Sequence, residues 1–104
     1  MKPVEAYLDD LAQLNEELFP EGIQLRALFG SHVRGEATET SDLDVLYKAD
    51  PAFYQKYRGL AAYRRLEQIR EMIREKSGSE VDLVAEEFLT ETGKKYILPE
   101  MVYA

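Results

Sequence analysis

A chain of 104 residues makes one domain with room for a single core, and 45% apolar with 32% charged residues is the composition of an ordinary soluble globular protein. Without cysteine, it excludes disulfides, thiolate metal sites and cysteine nucleophiles, and no apolar run approaches the roughly 20 residues that cross a membrane. A net charge of −7 argues against non-specific duplex binding, which depends on Lys and Arg neutralising phosphates.

Val4, Leu8, Leu11, Leu14 and Leu18 recur at three- and four-residue spacing, so residues 3–18 are expected to form an amphipathic helix with Pro3 near its first turn. Glu5, Asp9 and Asp10 make this start unlike a signal peptide, and a cytoplasmic location is the expectation. Pro20 and Gly22 end the helix. Ile23, Leu25, Ala27 and Phe29 alternate with other residues, which suits a strand stopping at Gly30. One or two helical turns are expected over 31–36, then a polar loop from Thr38 to Ser41 and a second strand from Asp42 to Lys48. Asp50, an expected N-cap, and Pro51 open a long helix to about Lys76. Its inner stripe is Phe53, Tyr57, Leu60, Leu66, Ile69 and Ile73, with a candidate break at Gly59. Ser77-Gly78-Ser79 is a turn, Glu80 to Ala85 a third strand, 91–98 a short helix and Met101 to Tyr103 a terminal strand. This order predicts an α/β protein with helices packed on a small sheet.

Charge is uneven along the chain. Residues 51–76 carry seven basic against three acidic side chains, whereas residues 1–50 carry eleven acidic against four basic. The simpler reading is a solvated helix face with Glu–Arg pairs, such as Glu67 with Arg70 and Glu71 with Arg74. The sharper one is a docking surface for an acidic partner.

The chemistry is concentrated in Gly30-Ser31-His32-Val33-Arg34-Gly35, followed after five residues by Ser41-Asp42-Leu43-Asp44. Residues i and i+2 of a strand share a face, so Asp42 and Asp44 project together while Leu43 and Val45 point into the core. Carboxylates so close repel unless a cation lies between them. Two hard oxygen ligands suit Mg²⁺, which is held by one or two carboxylates plus substrate phosphates. In Val81-Asp82-Leu83-Val84 a third carboxylate sits in an apolar run, where a buried acid needs a partner or a cation. Beside the second strand, Asp82 would complete a cluster able to hold two divalent ions about 3.5–4 Å apart, the clamp for in-line displacement at phosphorus.

These residues resemble the signature of the nucleotidyltransferase superfamily: Gly30, Ser31, Arg34, Gly35, Ser41, Asp42, Asp44, then the lone Asp82. The short layout is most similar to the minimal nucleotidyltransferases, the antitoxin halves of HEPN–MNT toxin–antitoxin pairs, over Ile23 to Tyr103. The resemblance implies a nucleotidyltransferase fold, a small mixed sheet with helices packed on it, and a single minimal domain over 1–104. It implies Mg²⁺, as two ions, and ATP as substrate. Asp42 and Asp44 would ligate both metals, and Asp82 the catalytic one. Gly30 lets the backbone approach the triphosphate, and Ser31 offers its hydroxyl and neighbouring N–H groups to phosphate oxygens. Arg34 could hold a phosphate or pair with an acidic neighbour. Ser41 belongs with these nucleotide-side residues but more readily braces the loop than touches substrate.

His32 reads as a partly exposed bystander, Glu36 and Glu39 as loop solvation, and Tyr7, Tyr57 and Tyr63 as packing residues. The implied activity is transfer of AMP from ATP to a tyrosine hydroxyl of a cognate HEPN ribonuclease toxin, which the modification silences, with no membrane or direct nucleic-acid role. Two other readings are an antitoxin acting by binding alone and a stand-alone transferase for a small molecule. A domain this small would leave acceptor recognition to the partner protein.

Overall fold

The computed structural model describes residues 2–97 and 101–103, the side chains of 96 and 97 excepted. Helix α1 spans Val4–Leu18; of the stripe its spacing predicts, Leu11, Leu14 and Leu18 are buried, Val4 and Leu8 are half-buried against the core, and Tyr7 is buried beside them. A single 3₁₀ turn, Phe19–Glu21, closes on Gly22, whose φ of 90° lies in the left-handed region open to glycine. Strand β1, Ile23–Phe29, follows; then come α2 (Ser31–Arg34), β2 (Leu43–Ala49), α3 (Pro51–Lys56) and α4 (Leu60–Ser77). Strand β3 (Val81–Ala85), a second 3₁₀ turn (Glu86–Phe88), α5 (Glu91–Ile97) and β4 (Val102–Tyr103) complete the order.

The sheet runs β3-β2-β1-β4 and is mixed: β1 is antiparallel to β2 and β4, while β2 and β3 are parallel. A parallel pair needs a long crossover, and α3 with α4 supply it. Helices α1 and α4 cover one face, where Leu25, Leu28, Leu43, Val45, Ile69 and Ile73 join the main core. The opposite face carries only a small cluster of Ala27, Phe29 and Leu46, with Val84, Leu89 and Met101 against it. Between Leu25 and Ala27 the β1–β2 register shifts. There the buried Asn15 side chain accepts from the Leu25 N–H at 2.8 Å and donates to its C=O at 3.0 Å, so α1 satisfies both backbone groups.

Several expectations need correction. The long helix is two helices, broken at Gly59, whose φ is 58°. Restarting at Leu60 resets the helical phase. Leu60 is 73% exposed and Tyr63 63% exposed, and Ala62 is buried instead. Asp50 is the N-cap of α3 as expected, without a side-chain cap bond: its backbone C=O accepts from the Phe53 N–H at 2.9 Å and its N–H donates to the Gly22 C=O at 2.8 Å. The second strand starts and ends one residue later than expected. The expected end of the 91–98 helix at residue 98 lies outside the described residues. No described helix is long and apolar enough to cross a membrane.

Candidate functional site

The β1–α2 junction builds one wall. Gly30 has φ 81° and ψ −154°, a conformation reserved for glycine, and its C=O accepts the N–H groups of Val33 and Arg34, each at 3.1 Å. Phe29 pairs with Asp44 across the β1–β2 ladder, which brings the next residue against that carboxylate. A Cβ on Gly30 would lie 2.0 Å from the Asp44 Oδ2. A glycine is thus required twice, by its dihedrals and by the acid beside it. Gly35, at φ 75°, closes α2, and the Glu36 N–H bonds the Ser31 C=O at 2.9 Å.

Asp44 is half-buried on the open face of the sheet, with Leu43, Val45 and Tyr47 turned to the helices. Asp82 is its register partner in the parallel β2–β3 ladder, so the two carboxylates leave adjacent strands about 4.8 Å apart on one face. Asp42 stands just before β2 and is exposed. Burial pushes the Asp44 carboxyl above the ordinary carboxylate range, and the charges of Asp82 and Asp42 push the same way. His32 and Arg34 act in opposition.

Asp82 departs from the burial that its apolar run predicts. It is exposed: β3 is an edge strand, and Val81 and Ala85 take its buried positions. Its place beside Asp44 comes from register rather than from the need of a buried acid for a partner. Among the described residues no three His, Asp or Glu side chains are gathered closely enough to hold a metal as they stand. The donor set nevertheless fits a hard divalent cation. All donors are carboxylate oxygens, two of the three side chains are exposed and able to turn, and the third is held in a state that a cation would relieve.

The remaining residues are more local. Ser31 opens α2 and is half-buried. Arg34 is exposed, and its Nε donates to Glu36 Oε2 at 3.0 Å, so Glu36 is more than loop solvation. Ser41 braces the loop: its Oγ accepts the Thr38 N–H at 2.9 Å, and its own N–H bonds the Thr38 C=O at 3.1 Å. His32 is no bystander. It is buried, packs edge-on against Tyr7 at 5.3 Å, and its Nε2 lies 3.4 Å from the Ser41 C=O. One imidazole thereby ties α2 to α1 and to the loop entering Asp42. The only sequence signal for it was Tyr7, itself on the buried stripe of α1. A concavity of about 250 Å³ has Asp82 in its lining, and another of about 300 Å³ lies beside His32 and Ser41.

The nucleotidyltransferase domain family matches residues 8–103 of this sequence. The chain belongs to that family. This nucleotidyltransferase is 35% identical over 82 residues to the protein adenylyltransferase MntA of Thermococcus cleftensis, covering 79% of this chain and 75% of that one. It is also similar to a solved structure described as a minimal nucleotidyltransferase, with a TM-score of 0.69 and 27% identity over 97% of this chain and 95% of the other. The α/β architecture and the resemblance to minimal nucleotidyltransferases both stand.

Proposed function

We propose that this nucleotidyltransferase transfers AMP from ATP to a hydroxyl of a separate protein, and that the acceptor is a tyrosine of a cognate HEPN ribonuclease toxin, which the transfer neutralises. The observation that carries the reading is the Asp44–Asp82 pair in register with Gly30 packed on the Asp44 carboxylate. A protein acceptor is supported by the 35% identical relative, a protein adenylyltransferase. A cytoplasmic location goes with ATP as substrate, and the net charge of −7 speaks against non-specific duplex binding.

Asp42, Asp44 and Asp82 would hold two Mg²⁺ ions. Bound there, they supply charge neutralisation for the triphosphate and lower the pKa of a coordinated hydroxyl. The Gly30 backbone leaves room for the phosphates, Ser31 presents its hydroxyl toward them, and Arg34 adds a positive charge on the same side. Ser41 and His32 hold the loop so that Asp42 enters at a fixed angle. The acceptor hydroxyl gives its proton to Asp82, its oxygen forms a bond to the α-phosphorus as the bond from that phosphorus to the β-phosphate's bridging oxygen breaks, and pyrophosphate leaves with that oxygen.

Incubation with labelled ATP and Mg²⁺ alongside a purified HEPN toxin from the same cell tests the reading. Wild type is expected to label the toxin on tyrosine and abolish its ribonuclease activity. Asp44→Ala is expected to label nothing while still binding the toxin. An Asp44→Ala variant that silences the toxin as well as wild type does would instead establish inhibition by binding alone.

A further inference from the structure

The cationic segment 51–76 is not a uniform stripe. Along α4, Arg70 pairs with Glu67 at 3.0 Å, and Arg74 with Glu71 at 3.0 Å. Arg65 forks onto both oxygens of Glu21, at 2.8 and 2.6 Å. Among the described residues Lys56, Arg58 and Arg64 make no ion pair, and all three lie at the corner where α3 gives way to α4. Half of the six described cations that make no ion pair are therefore gathered in one place, with Lys56 over the Tyr57 ring at 5.5 Å, while Lys48, Lys76 and Lys95 lie elsewhere.

The same corner exposes its large apolar side chains. Leu60 is 73% exposed, Tyr63 63% and Phe88 76%, well beyond a scatter of single surface residues. Tyr54, Tyr57, Arg58 and Glu87 line a cleft of about 600 Å³ there, with the Tyr54 hydroxyl donating to Glu87 at 2.9 Å. Leu60 and Phe88 directly follow cleft residues Gly59 and Glu87 in the chain. One turn beyond Leu60, Tyr63 lines the 250 Å³ groove whose other wall is Leu83 and Asp82. The surface is continuous from the cleft, over the first turn of α4, to the edge carboxylate of the site.

We infer that this corner is the docking surface for the acceptor protein, and that the occupant is an acidic amphipathic segment of that protein. Its apolar side chains would cover Leu60, Tyr63 and Phe88, and its carboxylates would meet Lys56, Arg58 and Arg64. A second copy of this chain is a poorer occupant. A two-fold contact sets a patch against itself, which would oppose these three cations to one another. The inference rests on the protein-acceptor reading above and adds where the acceptor binds.

The probe is the protein that wild-type chain and Mg²⁺ label from α-³²P-ATP in an extract of its own cells, then itself purified. Arg58→Glu with Arg64→Glu is expected to raise the KM for that protein by about tenfold or more at little-changed kcat, and to flatten the salt dependence of association. Leu60→Ser with Tyr63→Ser tests the apolar half and is expected to raise KM without the change in salt dependence. Both pairs are exposed, so the melting shift given by Mg-ATP is expected to stay at the wild-type value. Labelling with KM within about twofold of wild type in both variants would overturn the docking surface alone. A wild-type dimer that the charge reversal dissociates would assign the corner to a second copy and overturn it too. If no protein is labelled, the protein-acceptor reading fails and takes this inference with it.

Discussion

Gly30 and Asp44 illustrate how closely a backbone choice and an acid can depend on each other. With φ at 81° and an added Cβ 2.0 Å from Asp44 Oδ2, Gly30→Ala must both strain the chain and displace the carboxylate. The expected cost is about 2 kcal/mol or more, with loss of the melting shift that Mg-ATP gives wild type. Thermal melts with and without Mg-ATP measure both effects, and an unchanged ligand response would remove Gly30 from the site. Asp44 carries the opposite lesson, because its ionised form opposes folding. Its folded pKa lies above the unfolded value, so its contribution is favourable below the carboxylate range and is lost as pH rises through the folded value. Asp44→Asn is expected to raise the metal-free melting midpoint at neutral pH by about 3 °C, after allowance for solvent screening of a half-exposed group. The advantage is expected to vanish in acid. Equal midpoints at neutral pH would mean that neither burial nor the neighbouring carboxylates disfavour the ionised Asp44 as described.

At the level of elements, α4 is held from two directions. Its apolar residues Ile69 and Ile73 are buried in the core, while Arg65 clamps Glu21 in the turn after α1. The Arg65 hydrogen bonds are the first cause holding the Glu21 carboxyl below its ordinary range, with Tyr57 adding a third donor. A carboxyl with a depressed folded pKa stabilises above the ordinary range and loses that contribution as pH falls through the folded value. A double-mutant cycle of Glu21→Gln and Arg65→Met is therefore expected to give a coupling of about 1 kcal/mol at neutral pH, fading in acid. No coupling at neutral pH would reduce the contact to a surface pair of negligible worth. Arg65 is for the same reason a poor residue for probing a docking surface by charge reversal, since its loss disturbs the fold.

For the molecule as a whole, one covered and one largely open sheet face divide stability from chemistry. Helices α1 and α4 seal the core side, and the acids stand on the other at the β2–β3 end. Because β3 is the edge strand, Asp82 combines register with Asp44 and access to solvent. Asp82→Asn is accordingly expected to move the melting midpoint by less than about 2 °C while abolishing AMP transfer. A variant that retains transfer would exclude Asp82 from the reaction.

Periodicity and turn chemistry alone placed most elements, because helix α1 and strands β1 to β3 are each bounded by glycine, proline or polar residues and carry one clear apolar repeat. The motif residues were equally legible, since the spacing of Gly30, Ser31, Asp42 and Asp44 places them along a short stretch of chain where local geometry decides. The sequence could not reveal the surroundings of His32, Leu60 or Asp82. A lone histidine at a variable motif position looks exposed until Tyr7 arrives from a helix 25 residues away in the chain. Leu60 fits an inner stripe only if the helix is unbroken, and the restart after Gly59 turned it outward. Asp82 lies in an apolar run that suggests burial, yet the order of strands made that run an edge. Local spacing determines which face a residue takes along its own element; only the packing of distant elements decides whether that face meets a core, a neighbour or water.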